Sequence, residues 1–360
     1  MAALLNPSIA IPARNEEEQL TRLIDALGRQ TWLGGTGRLL PVTIVLNNCS
    51  DRSGDAVRSA AMRQPQLRLD LVEVDFPPDT AHVGSARRLA TERALAAVGP
   101  VAQVAVITGD ADSIPASDWV EANLQALANG ADVVGGLIIG DEAEESALGE
   151  GFLRRARLQA RYAALCDHLT ALIDPLPFDP WPRHHDHAGA SLAARGDVLQ
   201  AIGGLPALPF REDLGMVSRA RAQGFRLRHD LAVRVRVSAR LEGRAPGGMA
   251  DTLKAWVQAE ADGAPQLAAS PDSVAARAMR QSILRGLNLD DLKARRAAAR
   301  RLYIDLAELD AAADAGLNGI ALVERFAPDE PDAPATMPIE AAIARLTAMV
   351  AERDRARVAA

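Results

Sequence analysis

The chain has 360 residues, 48% of them hydrophobic and 24% charged, a composition typical of a globular protein with one large domain and an appendage, or with two domains. Its net charge of −7 and its aromatic content of 3% argue against a nucleic-acid partner. There is no signal peptide pattern, no apolar stretch of the ~20 residues that span a bilayer, and no metal-type cysteine spacing, so we expect a cytoplasmic protein in a reducing compartment without a transmembrane segment.

The first 140 residues alternate between strand and helix patterns. Residues 8–12 form a short apolar strand, and Asn15 then begins a helix with Glu18 at capping-box spacing. Further strands are predicted at 41–51, 67–74, 101–108 and 131–140, and further helices at 84–98 and 117–129. This alternation predicts βαβ units and an α/β fold with a mostly parallel sheet.

Three of the predicted strands end in polar clusters. These are ARNEE at 13–17, LNNCSD at 46–51 and GDADS at 109–113. An isolated D-x-D such as Asp110–Asp112 is more often a solvated turn. Because ligands bind beyond the carboxyl ends of parallel strands, three such ends over one crevice favour a binding site instead.

Six segments carry a resemblance to a known family. They are IPARNEEEQL, VLNNCSD, GSARRLATERAL, ITGDADS, GASLAARGDVLQAIGGLP and REDLGMVSRARAQGF. In this order they resemble family 2 glycosyltransferases of the GT-A fold, from residue 8 to about residue 240. The resemblance implies a Rossmann-like sheet flanked by helices and transfer of a sugar from a nucleotide-diphosphate sugar to an acceptor. It also implies inversion at the anomeric carbon and a divalent metal, Mn²⁺ or Mg²⁺.

The donor side of the site follows from this resemblance together with the chemistry of a diphosphate leaving group. A hard cation held by carboxylates neutralises that charge, so Asp112 is predicted as a metal ligand, with Asp110 on the ribose or the metal's waters. The predicted donor-binding residues are Pro12, Arg14, Asn15, Glu16, Asn47, Asn48, Arg87, Asp110, Ala111 and Asp112. Glu16 also suits the first turn of a helix, Arg87 also suits a helix surface, and the two asparagines replace aspartates that the family often has.

The acceptor side is predicted around two later segments. Gly189 and Ala190 are expected beneath the sugar, and Asp213, or less favourably Glu212, is expected to be the catalytic base. Carboxylates are also favoured at a helix N-terminus without any catalytic role. The predicted acceptor contacts are completed by three clustered histidines, whose alternative is a separate metal site: His184, His185 and His187.

The third metal ligand has no obvious candidate at the position that the family uses. Val237 and Ser238 stand where a histidine is expected, so the earlier His229 is predicted to replace it. Asp110, Asp112 and His229 are therefore the predicted metal ligands.

The remainder of the chain is predicted as a helical region. The catalytic domain is expected at 1–248 and the helical region, without strands, at 249–360, where it packs on that domain or forms a homodimer. Segment 242–248 is expected to close over the donor, with Arg240 and Arg244, or to act as a linker. The glycine-rich GGTGRLLPVT at 34–43 is expected to be a loop.

Two other functions remain open from the sequence. One is a catalytically silent nucleotide-sugar-binding regulator on the same fold. The other is a sugar nucleotidyltransferase, for which the glycine-rich segment follows the wrong element. Retention of four carboxylates in two separate segments favours the transferase.

Overall fold

The computed structural model describes residues 5–243, 248–328 and 334–359. The chain divides into two compact units. The first, here called the sheet unit, comprises Met1–Glu150, His185–Val217 and Leu227–Gln258, and the second, the helical unit, comprises Gly151–His184, Ser218–Arg226 and Ala259–Ala360. The chain passes between the units several times, and the division predicted at residue 248 stays a prediction.

The strands and helices are numbered in chain order. The strands are β1 Asn6–Ala13, β2 Leu40–Asn47, β3 Leu67–Val74, β4 Val104–Gly109, β5 Ser113–Pro115, β6 Val133–Gly140, β7 Ser191–Arg195, β8 Leu227–Val237, β9 Leu267–Ala269 and β10 Thr336–Pro338. The helices are α1 Glu17–Leu27, α2 Thr31–Thr36, α3 Ser53–Met62, α4 Val83–Ala96, α5 Trp119–Ala128, α6 Glu142–Ala147, α7 Glu150–Ile173, α8 Gly196–Ala201, α9 Glu212–Ala222, α10 Met249–Ala261, α11 Pro271–Arg285, α12 Leu292–Leu302, α13 Leu306–Asp314, α14 Gly319–Phe326 and α15 Ile339–Ala359.

An eight-stranded sheet with the order β3-β2-β1-β4-β7-β6-β8-β5 forms the centre of the sheet unit. The strands from β3 to β4 in this order run parallel, and β6 runs parallel to β8. β1, β2 and β4 are apolar and buried along nearly their whole length, as expected for strands covered on both faces. The predicted α/β class with a mostly parallel sheet and a helical C-terminal region is confirmed.

The strand pairing brings the two predicted halves of the site to one edge. β7 runs antiparallel to β4, so that Ser191 at its start pairs with Gly109 at the end of β4. After Gly109 the chain passes through the D-x-D and enters β5, where Ser113 pairs with Val237 at the end of β8. The edge that receives the ends of β1, β2 and β4 therefore also receives the start of β7.

The helical unit has apolar clusters of its own. In one, the buried residues of α15 pack with Leu169 and Val274, and in another Leu284, Leu309 and Leu322 come together. The antiparallel pair β9–β10 corrects the expectation that this region has no strands. Its three-residue strands are too short for an alternating pattern to be visible. No helix in the described ranges is long and apolar enough to cross a membrane.

Two local predictions were wrong. Asn15 does not cap α1, because it takes a left-handed φ of 53° and the N-cap is Glu16, without a side-chain capping bond. Part of the glycine-rich segment is not a loop, because Gly34 and Gly35 lie in α2. For Asn15 the reason is a contact outside the local sequence, because this residue bonds to the loop after β2.

Candidate active site

The loops that follow β1 and β2 are tied to each other. Asn15 Oδ1 accepts a hydrogen bond of 2.8 Å from the Ser50 amide, and the Asn15 amide donates to Cys49 Sγ at 3.3 Å. Asn48, with a φ of 49°, exchanges two bonds with the backbone of Phe76. Asparagine tolerates the left-handed conformation better than most residues, which suits it to both positions.

Asn47 at the end of β2 holds a buried acceptor. The residue is 2% exposed, and its Nδ2 donates to the His82 carbonyl at 3.2 Å. Its Oδ1 has no hydrogen-bond partner within the described part of the chain. A buried unsatisfied oxygen is unfavourable, so this position suits a ligand that brings a donor. Of the other predicted donor residues, Pro12 and Ala111 are buried and Arg14 is exposed, bonded to the Ala81 carbonyl.

Arg87 links the D-x-D to the acidic pair at the start of α9. It is 2% exposed, and its Nη2 donates to Asp110 Oδ1 at 2.5 Å while its Nε donates to Glu212 Oε1 at 2.8 Å. Burial by itself would lower the pKa of Arg87, but the charges of Asp110 and Glu212 raise it above its usual value. The guanidinium is therefore a fixed cation between the two acidic segments.

The same guanidinium reaches the start of the acceptor segment. Its Nη1 donates to Thr108 Oγ1, to the Gly109 carbonyl and to the Gly189 carbonyl, at 3.0, 3.2 and 3.1 Å. A Cβ at Gly189 would stand 2.5 Å from Arg87 Nη2, so no larger residue fits there with Arg87 in place. Ala190, the next predicted acceptor residue, is buried.

We expect Gly189→Ala to lower the free energy of unfolding by about 1–3 kcal/mol, because the added methyl group overpacks a rigid site. Urea unfolding measures the change. Gly34→Ala is the control, since a Cβ there meets nothing within 4 Å and alanine is the better helix former. Equal stability of the wild type and Gly189→Ala would show that Arg87 is not held as tightly as its bonds indicate.

A second arginine joins the ends of β1 and β4. Arg240 Nη1 donates to Glu16 Oε2 at 2.7 Å, its Nη2 also bonds to Glu16, and this Nη2 donates to Asp112 Oδ2 at 3.0 Å. Glu16 is 6% exposed, and its backbone amide donates a hydrogen bond to Ser53 Oγ at 2.9 Å. Glu16 is thus a buried charged partner and not only an acidic residue in a first turn.

The carboxyl group of Asp112 is strongly affected by its surroundings. Burial raises its pKa, the charges of Asp110 and Glu16 raise it further, and Arg240 opposes them, which leaves the pKa at about 6. Nearby negative charge favours the neutral acid. Arg240 therefore does not fully offset the effect of burial and of the two neighbouring carboxylates on Asp112, and the position suits a further cation.

The two acidic residues at the start of α9, Glu212 and Asp213, lie in different environments. Glu212 is 4% exposed and paired with Arg87. Asp213 is partly exposed. Its Oδ2 accepts a hydrogen bond of 2.6 Å from the Gly189 amide, and its Oδ1 accepts one of 2.7 Å from the Leu214 amide. Of the two, only Asp213 has a side chain that combines partial exposure with contact to the acceptor segment.

The three clustered histidines do not share one environment. His184 is buried and belongs to the helical unit, whereas His185 is exposed and His187 is partly buried in the sheet unit. His187 Nδ1 lies 3.2 Å from His229 Nε2. His229 pairs with Gly135 on β6, while Val237, opposite the start of β5, pairs with Gly140. Gly135 and Gly140 are five residues apart on β6, so the positions of His229 and Val237 along the sheet differ by about 16 Å.

The described ranges contain no group of three or more His, Cys, Asp or Glu side chains arranged to hold a metal ion. The structure therefore does not bring His229 together with Asp110 and Asp112, because His229 faces His187 farther back along the sheet. The carboxylate oxygens of Asp110 and Asp112 remain the type of donor that Mg²⁺ or Mn²⁺ prefers. Metal binding itself stays a prediction.

Sequence reasoning did not identify two supporting side chains. Ser191 Oγ accepts a bond of 2.8 Å from Trp119 Nε1 in the buried interior, and Ser53 holds the Glu16 amide. Both serines are fully buried. The only signal in the sequence is a polar residue inside an apolar or helix-forming segment, which is too common to single out a site. Arg244, predicted near the donor, lies outside the described residues.

The chain is similar to known glycosyltransferases in sequence and in structure. Residues 8–169 match the model of the family described as Glycosyl transferase family 2. A mannosyltransferase from Pyrobaculum calidifontis, solved with GDP-Man and Mn²⁺, is similar over 97% of this chain and 87% of its own, at 18% identity and a TM-score of 0.48.

Two further solved structures are similar in part. S. aureus TarS, in complex with UDP, covers 97% of this chain and 89% of its own, at 12% identity and a TM-score of 0.47. A glucosyl-3-phosphoglycerate synthase from Mycobacterium tuberculosis, in complex with phosphoglyceric acid, is similar over 73% of this chain and 81% of its own, at 17% identity and a TM-score of 0.39. No protein with a curated description matches the chain.

Proposed function

Since residues 8–169 match the model of glycosyl transferase family 2, we propose that the chain transfers a sugar from a nucleotide-diphosphate sugar to an acceptor hydroxyl. The observation that carries the proposal is the linkage through Arg87. One buried guanidinium bonds to Asp110 of the D-x-D and to Glu212 beside Asp213. Two segments whose residues Asp110 and Glu212 lie 102 positions apart in the sequence are thereby joined at one edge of the sheet.

The nucleoside belongs at the ends of β1 and β2. Asn47 Oδ1 is a buried acceptor without a partner in the described chain, and a base or ribose donor would satisfy it. Asn15 and Asn48 hold the adjoining loops. An amide at Asn47 accepts from a base without adding charge, which is compatible with the acidic surroundings of Asp110 and Asp112.

The diphosphate belongs beside the D-x-D. A divalent cation, when bound, would neutralise the charge that develops on the leaving diphosphate. Asp112 would hold it, because its carboxyl group is partly exposed and lies among negative charges. Asp110 is held by Arg87 and would support the cation from its second oxygen.

The acceptor hydroxyl belongs beside Asp213. This carboxylate would take the hydroxyl proton as the acceptor oxygen forms its bond to the anomeric carbon and the bond to the diphosphate breaks. Glu212 is already paired with Arg87 and positions that guanidinium. Attack from the side opposite the leaving group gives inversion.

The alternative functions make different predictions. A silent nucleotide-sugar-binding regulator would bind the donor without any turnover. A sugar nucleotidyltransferase needs a glycine-rich phosphate loop after the first strand, whereas Gly34 and Gly35 lie in α2. No feature of the described site favours either alternative over transfer.

We expect Asp112→Asn to weaken the binding of UDP or GDP in the presence of Mn²⁺ by at least about tenfold, since loss of even an outer-shell metal partner has an effect of this size. Calorimetry with Mn²⁺ and with a chelator, on the wild type and the variant, measures it. Asp118→Asn is the control, because Asp118 lies six residues later and pairs with Arg234. Equal affinity of both proteins with and without metal would refute the assignment of Asp112.

A further inference from the structure

Arg240 joins two carboxylates, Glu16 after β1 and Asp112 at the proposed diphosphate position. It lies three residues beyond the end of β8, and its guanidinium contacts Glu16 with both terminal nitrogens and Asp112 with one. Its side chain is 26% exposed, against 7% for Glu16 and 27% for Asp112. The guanidinium therefore covers a pair of acidic groups that come from separate strand ends.

The backbone before Arg240 is held independently of this contact. Glu144 Oε2 accepts from Ser238 Oγ at 2.6 Å and from the Ala239 amide at 2.7 Å. Rotation of the Arg240 side chain can thus exchange its partners while the end of β8 stays in place. Charge-assisted bonds of arginine suit both carboxylates and phosphates.

A cation bound to Asp112 competes with this arrangement. Asp112 Oδ2 cannot accept from a guanidinium and hold a divalent cation without placing two positive charges within a few ångströms of each other. The remaining guanidinium, Arg87, is engaged by Asp110 and Glu212 and does not contact Asp112 in the described hydrogen bonds. Arg240 is thus the arginine that the cation must displace.

We infer that Arg240 holds the place of the metal ion on Asp112 until the donor arrives, and that its freed guanidinium then pairs with the donor diphosphate. This rests on the proposed function. The displaced arginine gains phosphate oxygens in place of carboxylate oxygens, so the binding of the cation and the binding of the diphosphate reinforce each other. Arg240 is a donor-binding residue that makes the cation site dependent on the nucleotide.

Arg240→Gln separates the two effects. Without the competing guanidinium, Mn²⁺ alone is expected to bind about tenfold more tightly, since the apparent affinity rises with the fraction of molecules whose site is open. With Mn²⁺ saturating, UDP or GDP is expected to bind about tenfold more weakly, because the arginine–phosphate bonds are lost. Opposite changes in the two affinities distinguish this role from a structural one.

The experiment uses calorimetry on the full chain, first with Mn²⁺ alone and then with UDP or GDP at saturating Mn²⁺. Arg236→Gln is the matched control, since Arg236 lies on the same strand, is exposed and pairs with Asp141. Its two affinities are expected to equal those of the wild type. If Arg240→Gln does not fold, Arg240→Lys takes its place in the experiment. Lysine keeps the positive charge but lacks the planar, forked guanidinium, so smaller changes of both affinities in the same directions are expected.

Equal or weaker Mn²⁺ binding by Arg240→Gln, including no detectable binding by either protein, would overturn the inference. Weaker nucleotide binding with unchanged Mn²⁺ binding would overturn it as well, because Arg240 would then not occupy the cation position. A wild type that binds neither UDP nor GDP with Mn²⁺ contradicts the proposed function instead. Even if no nucleotide binds, the titration with Mn²⁺ alone still tests whether Arg240 occupies the cation position on Asp112.

Discussion

Asp213→Asn is expected to lower the rate of sugar transfer by about 10² or more while donor affinity stays within a few fold, as for loss of a general base. The amide keeps the shape of the side chain but cannot take the acceptor proton. Asp213 is the partly exposed carboxylate at the start of α9, next to the acceptor segment through its bond to the Gly189 amide. The measurement is nucleotide release from UDP- and GDP-sugars, with slow donor hydrolysis as the reaction until the acceptor is identified.

Two further variants determine how this result is interpreted. Asp55→Asn, in the first turn of α3, is the control for loss of a helix-start carboxylate and is expected to leave turnover unchanged. Glu212→Gln tests the other member of the pair. Near-normal turnover by Asp213→Asn with an inactive Glu212→Gln would move the role of base to Glu212. Near-normal turnover by both would exclude the acidic pair and direct attention to His185 and His187.

Arg87→Met is expected to lower the free energy of unfolding by about 3–5 kcal/mol, the effect of removing one partner from a buried ion pair. The variant leaves Glu212, whose side chain is 5% exposed, and Asp110 without their shared cation. Methionine fills much of the volume of the arginine stem, so the loss is mainly electrostatic. Urea unfolding at neutral pH measures it.

The comparison uses a neighbouring arginine and a double variant. Arg88→Met removes an exposed i,i+4 pair with Glu92 and is expected to cost about 0.5 kcal/mol or less. Arg87→Met with Glu212→Gln is expected to recover part of the loss, because the stranded charge is removed. A loss for Arg87→Met no greater than that for Arg88→Met would show that the buried network adds little to stability.

The alternating strands and helices could be predicted from the sequence because their signal is local. β3 was expected at 67–74 and lies at Leu67–Val74, and β4 ends where the apolar run meets Asp110. A buried parallel strand needs an apolar run, and its carboxyl end needs polar residues wherever a ligand is bound. Both requirements are visible in a few consecutive letters.

The partners of the charged side chains were decided only by the tertiary structure. Nothing near Arg87 in the sequence shows that it would be buried between Asp110 and Glu212, 23 and 125 residues away. The same holds for Arg240, whose partners Glu16 and Asp112 lie 224 and 128 residues earlier. The short strands β9 and β10 also depend on a pairing across the chain. An ion pair depends on which loops meet at one sheet edge, and that meeting is a property of the packed chain and not of any segment.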